Sequence, residues 1–166
     1  MSNEAKTFNM VVSRQFDAPV EQVWAAWSDP NLIKGWWGPT GFTCPLARID
    51  FREGGTSLVC MRAPAEYGSM ELYNTWTYTK IVPNQRIAFL QHFADKDGNR
   101  SDPAAHGLPA DVPAEVPHLI TFEVVIGGKT QLTITEYGYH SEQIVAMSKA
   151  GMEQCLDKMQ ASLGTR

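Results

Sequence analysis

The sequence predicts an α+β fold, one largely antiparallel sheet carrying a long C-terminal helix, and three observations predict it. From residue 45 onward, runs of Val, Ile, Leu, Thr and aromatic residues alternate with short turns, the pattern of strands joined by tight connections. Gly127 and Gly128 stand between "HLITFEVVI" and "TQLTITEY", a hairpin signal because both turn positions want positive φ. The chain then closes on "SEQIVAMSKAGMEQCLDKMQASL", where Ile144, Met147, Gly151, Cys155, Met159 and Leu163 make a stripe at helical spacing. The 166 residues suit one domain, placed at 7–163 after a flexible N-terminus of residues 1–6.

In chain order, "TFNMVVSRQF" is a β-type run that stops at "DAP", where Asp17 or Ala18 is expected to cap a helix and Pro19 to fill its first turn. Val20, Val23, Trp24 and Trp27 then form one apolar face of a short helix. Asp29 is a good cap for a second helix that starts at Pro30 and ends by Gly35. Strands are expected in "PLARIDF", "TSLVCMRA", "SMELYNTWTYTKIV", "RIAFLQHF", "HLITFEVVI" and "TQLTITEY", which with the first run makes about seven. Ser141 is placed to cap the last helix. Within it, Gly151 costs about 1 kcal/mol against alanine, which points to a close approach of sheet or ligand there. Met147, Met152 and Met159 supply adaptable packing. The stretch 94–117 holds four prolines and few large apolar residues, and so reads as a lid, a contact in a homodimer, or a surface loop.

Composition excludes several functions. Net charge is −4 with pI near 5.5 and no Lys/Arg run occurs, which argues against nucleic-acid or anionic-membrane binding. No apolar stretch approaches a membrane span, and "MSNEAKTFN" is no signal peptide, so a cytoplasmic location without membrane insertion is expected. Cys44, Cys60 and Cys155 are odd in number and widely spaced, and the four histidines lie far apart, so no disulfide framework, metal site or cofactor is expected. "DKDGN" (95–99) reads as a turn, because its glycine falls where a calcium loop has none.

The segments "FDAPVEQVWAAWSDPNLIKGWWGP", "FREGGTSLV", "IVPNQRIAF" and "GGKTQLTITEYG" together resemble the family related to the activator of the heat-shock-protein-90 ATPase, C-terminal-domain-like, within the START-like (SRPBCC) superfamily. Their order and spacing cover nearly the whole chain. The resemblance implies a helix-grip fold, a curved antiparallel sheet wrapped around the C-terminal helix with a cavity between them. It also implies hydrophobic small-molecule ligands, although some relatives are cyclases or hydrolases.

Given such a cavity, the loop holding Trp36 and Trp37 lies near one end, and one indole is expected to pack under the helices while the other lines the mouth; plain packing of both is the alternative. Strand alternation places Asn74 and Tyr78 on the face of Leu72 and Trp76, Glu136 with Leu132 and Ile134, and His92 with Ala88 and Leu90. Candidate cavity residues are therefore Trp36, Trp37, Asn74, Trp76, Tyr78, His92, Glu136, Met147 and Gly151, unless Glu136 and His92 reach solvent at their strand ends. Three function classes follow: a binding protein for a hydrophobic small molecule, which is favoured; a cavity enzyme of the cyclase, dehydratase or hydrolase type using Glu136, His92 or Tyr78; and a co-chaperone. Against the last, 166 residues leave no room for a separate chaperone-binding domain. No G-x-S-x-G elbow or phosphate-binding glycine loop occurs.

Overall fold

In a computed structural model, which describes residues 6–163, the elements run β1 (Phe8–Phe16), α1 (Val20–Ser28), α2 (Pro30–Ile33), β2 (Thr43–Arg48), β3 (Thr56–Arg62), β4 (Glu71–Val82), β5 (Arg86–Ala94), β6 (Glu115–Val125), β7 (Lys129–Tyr139) and α3 (Glu142–Leu163). Residues 1–5 of the expected flexible terminus lie outside the described residues. The seven strands form one curved sheet in the order β1-β7-β6-β5-β4-β3-β2, every neighbouring pair antiparallel. With the helices this is the expected α+β, helix-grip arrangement.

Local chemistry explains most boundaries. Asp29 caps α2, its Oδ1 accepting from the Asn31 N–H at 2.9 Å, with Pro30 in the first turn. Ser141 caps α3, its Oγ accepting from the Ile144 N–H at 3.1 Å. The cap of α1 differs from expectation. Pro19 itself is the cap, without a side-chain bond, and its carbonyl meets the Gln22 and Val23 N–H groups. At the β6–β7 hairpin both Gly127 and Gly128 have positive φ, and Ile126 adds a third turn residue whose side chain is left exposed.

β6 begins three residues earlier than the apolar run suggests, at Glu115, and passes through Pro117. Proline fits there because β7 pairs with β6 only from His118 onward, while β5 pairs from Glu115. At Pro117 the strand is locally an edge, and no ladder donor is lost. That extension sets His118 on the inner face and Glu115 on the outer one.

α3 lies against the inner face and is fixed at both sides. Arg14 on the β1 edge reaches Asp157 at 2.6 Å, and Lys158 donates to the carbonyls of Gly38 and Phe42 at 2.9 and 3.1 Å. The Thr40 N–H meets Gln154 Oε1 at 3.0 Å. Such surface ties add little stability each, but they fix the helix's direction. The core proper lies beneath α1 and α2. Trp27, Trp36, Trp76, Tyr78, Phe16 and Phe89 are among its largest fully buried side chains. Trp27–Trp36 and Trp37–Trp76 ring pairs stand 4.6 and 5.1 Å apart, contacts worth about 0.5–1.5 kcal/mol each beyond their buried area.

Candidate functional site

One rung of the sheet's inner face carries the site. Pairing places Tyr78, Phe89, His118, Glu136 and Met10 side by side across β4, β5, β6, β7 and β1. The ring of His118 stacks on Phe89 at 4.7 Å and 19°. Its Nδ1 lies 3.0 Å from the Val116 carbonyl and its Nε2 3.0 Å from Glu136 Oε2. Both ring nitrogens therefore face acceptors. The other carboxylate oxygen, Oε1, accepts from Tyr139 Oη at 2.5 Å and from Ser148 Oγ on α3. Glu136 is only 3% exposed. Desolvation alone would raise its pKa, but the His118 charge and the hydrogen bonds from His118, Ser148 and Tyr139 outweigh it and hold the carboxyl below its ordinary value. The Tyr139 phenol is pushed well above its ordinary value by burial and by Glu136.

Beside this cluster, between α3 and the inner face, lies a pocket of about 300 Å³. Met61 and Leu72, Phe93, and Met147 with Met152 give it mostly apolar walls, and Asn74, Gln91, Glu136, Tyr139 and Ser148 supply the polar groups. Leu108 and Val112 close one side, so part of the 94–117 segment is a pocket wall. Asp111 Oδ2 accepts from the Ser141 hydroxyl at 3.1 Å and ties that wall to the start of α3. Cys155 also lines the pocket, with burial raising its thiol to about 11.

The candidate residues divide. Trp37, Asn74, Glu136, Met147 and Gly151 line the pocket. Met147 sits at the rim with half its surface exposed. Gly151 makes no close helix–sheet approach, in correction of that expectation: an added Cβ would meet nothing within 4 Å. Trp36 is core, fully buried, with its Nε1 donating to the Ala26 carbonyl at 2.7 Å. Trp76 and Tyr78 do occupy the inner face, but beneath α1 and α2, where Tyr78 Oη meets Ser57 Oγ at 2.7 Å; neither lines the pocket.

His92 is a correction. The inner residues of β5 are Ile87, Phe89, Gln91 and Phe93, so His92 lies on the opposite face with Ala88 and Leu90. There it sits in one row with Leu58, Thr75 and Glu115. The 95–99 turn folds back over that row; a Cβ on Gly98 would lie 3.9 Å from Leu58 Cδ2. His118, Tyr139 and Ser148 went unnoticed in the sequence. For His118 a signal existed, since His118, Ile120 and Phe122 alternate in step on β6.

The comparisons with known proteins agree with this architecture. Residues 17–164 match the family described as "Activator of Hsp90 ATPase homolog 1-like protein". No match to a curated protein sequence was found. Among solved structures, protein CV1439 from Chromobacterium violaceum superposes with a TM-score of 0.77 at 24% identity, covering 95% of this chain and 98% of its own. Protein Ms6760 from Mycobacterium smegmatis gives 0.76 at 22%, covering 99% and 96%. The AHSA1 protein from Silicibacter pomeroyi gives 0.73 at 20%, covering 94% and 97%. At these identities the likeness shows the shared fold. Among the described residues no helix is long and apolar enough to cross a membrane.

Proposed function

We propose that this chain, which belongs to the Activator of Hsp90 ATPase homolog 1-like family, binds a mainly apolar small molecule in the pocket between α3 and the sheet. The observation that carries the reading is a contrast within one interior. Beneath α1 and α2 the space is filled by tryptophans, whereas beside Glu136 about 300 Å³ stays open and Gly151 adds no side chain to it. Pockets of that size suit small molecules.

Binding fits the site better than turnover. A general base works best with a pKa near the working pH, and Glu136 is held in the opposite direction, its charge spent on three donors. The Cys155 thiol, raised to about 11, is no nucleophile near neutrality. Glu136 thus acts as a fixed anchor, and Leu108 and Val112 cover the ligand on one side.

The test uses N-phenyl-1-naphthylamine, a neutral probe that fluoresces in apolar surroundings. The protein should bind one molecule per chain, and Gly151→Leu, which places a side chain in the open space, should reduce affinity at least about tenfold. Stability should hold or rise by up to about 1 kcal/mol from the better helix former. Replacing 96–113, the part of that segment outside β5 and β6, by a short Gly/Ser turn should speed probe release. Unsaturable binding, or full affinity in Gly151→Leu, sinks the reading.

A further inference from the structure

Resting on that pocket reading, we propose that the ligand is an uncharged molecule bearing a hydroxyl or N–H donor for Glu136 and an acceptor oxygen for Asn74 and Gln91, and that carboxylic acids are rejected. The argument is a count of hydrogen-bonding capacity at the pocket's polar groups. An ionised carboxylate offers about four lone-pair sites. On Glu136, His118 occupies one at Oε2, and Tyr139 and Ser148 occupy two at Oε1. One acceptor site is left, on a side chain that lines the pocket. It calls for a donor.

The amides complement it. Gln91 Oε1 accepts from the Trp76 indole N–H at 3.1 Å, which leaves the Gln91 NH₂ to donate. Asn74 is 2% exposed and its side chain has no hydrogen-bond partner among the described residues. The Asn74 amide lines the pocket and is free to pair with a polar ligand atom there. Its NH₂ and that of Gln91 suit a carbonyl, ether or hydroxyl oxygen.

Charge decides the rest. No Lys or Arg lines the pocket. The nearby ammonium of Lys158 is engaged by the Gly38 and Phe42 carbonyls, and both ring nitrogens of His118 by Glu136 and Val116. An anionic ligand would meet the Glu136 carboxylate with no cation to offset it. A cationic ligand would add charge to a pair that already balances. The neutral donor is what remains.

Three probes of one shape test this at pH 7 on the unmodified chain: 2-naphthol, 2-methylnaphthalene and 2-naphthoic acid, the last ionised. The expected order is 2-naphthol tightest, 2-methylnaphthalene about tenfold weaker for want of the charge-assisted bond, and naphthoate at least about a hundredfold weaker. Glu136→Gln should bring naphthoate and 2-naphthol together. The variant should fold, because a glutamine NH₂ can donate to a neutral His118 whose Nδ1 still meets Val116; should it not, the order on the unmodified chain decides. Equal binding of all three probes, or naphthoate binding as well as 2-naphthol, overturns the inference while the pocket reading stands. Binding by none overturns both.

Discussion

Two histidine–glutamate pairs lie on neighbouring strands of the same sheet, and they have almost nothing else in common. His118 and Glu136 meet at 3.0 Å on the inner face with both side chains nearly inaccessible, 2% and 4% exposed. His92 and Glu115 meet at 2.8 Å on the outer face, where the histidine is buried but the glutamate is half in water. In the inner pair every nitrogen and oxygen is engaged; in the outer pair His92 Nδ1 has no partner. Similar distances therefore describe different physics. Water screens the outer pair and takes over if it breaks, whereas nothing replaces either member of the inner pair.

The largest effect that separates the pairs is the loss of one glutamate. Glu136→Leu should cost about 3–5 kcal/mol, because it leaves His118, Tyr139 and Ser148 facing a side chain that cannot accept. Glu115→Leu should cost within about 1 kcal/mol. Urea unfolding of the two variants measures both. Comparable losses would break the comparison and demote the inner pair to one contact among many.

A smaller effect follows from acidity. The folded state holds Glu136 below the ordinary glutamate pKa, so its contribution is fully present above the unfolded value, about 4.3, and is lost as pH falls through the folded value. Stability should therefore decline as pH drops below that of an ordinary carboxyl group. His118 and Tyr139 are the titratable groups touching Glu136, and Cys155 lies near it; at those pH values Tyr139 and Cys155 stay neutral. Glu136→Gln should remove that part of the acid slope. Unfolding curves at pH 3 to 6 test it, and an unchanged slope would place the acid-sensitive carboxylate elsewhere.

Why one pair was half legible in the sequence and the other misread comes down to strand frames. On β7 the apolar residues Leu132 and Ile134 are separated by threonines, so only one frame buries them, and Glu136 follows by parity. On β5 the run Ile87-Ala88-Phe89-Leu90 is apolar in both frames. A slip of one residue exchanges the faces, and His92 went to the wrong one. His118 was lost differently, because Pro117 looked like the end of a loop when it lies inside β6. The long helix and the caps at Asp29 and Ser141 were legible because they rest on local chemistry. The relation of Ser148 to Glu136 was not, since it depends on how α3 crosses the sheet, nor that of Tyr139, which reaches Glu136 along β7 past the positive-φ Gly138 and the register shift against β1.

The smallest expected effect is the most discriminating for the outer pair. His92 lies buried with Nδ1 unpaired, so its ring bears an uncompensated desolvation cost, and its one bond goes to a glutamate that water can satisfy instead. Replacing it by leucine removes the orphaned nitrogen and keeps apolar volume beside Leu58 and Thr75. The two terms oppose each other, so His92→Leu should change stability by no more than about 1 kcal/mol in either direction, and 2-naphthol affinity should stay as it is. His118→Leu should destabilise by several kcal/mol, because it strands the Glu136 charge. Paired urea titrations read the difference. A large loss from His92→Leu would mean that the outer histidine holds the 95–99 turn in place, and the two pairs would then differ in location alone.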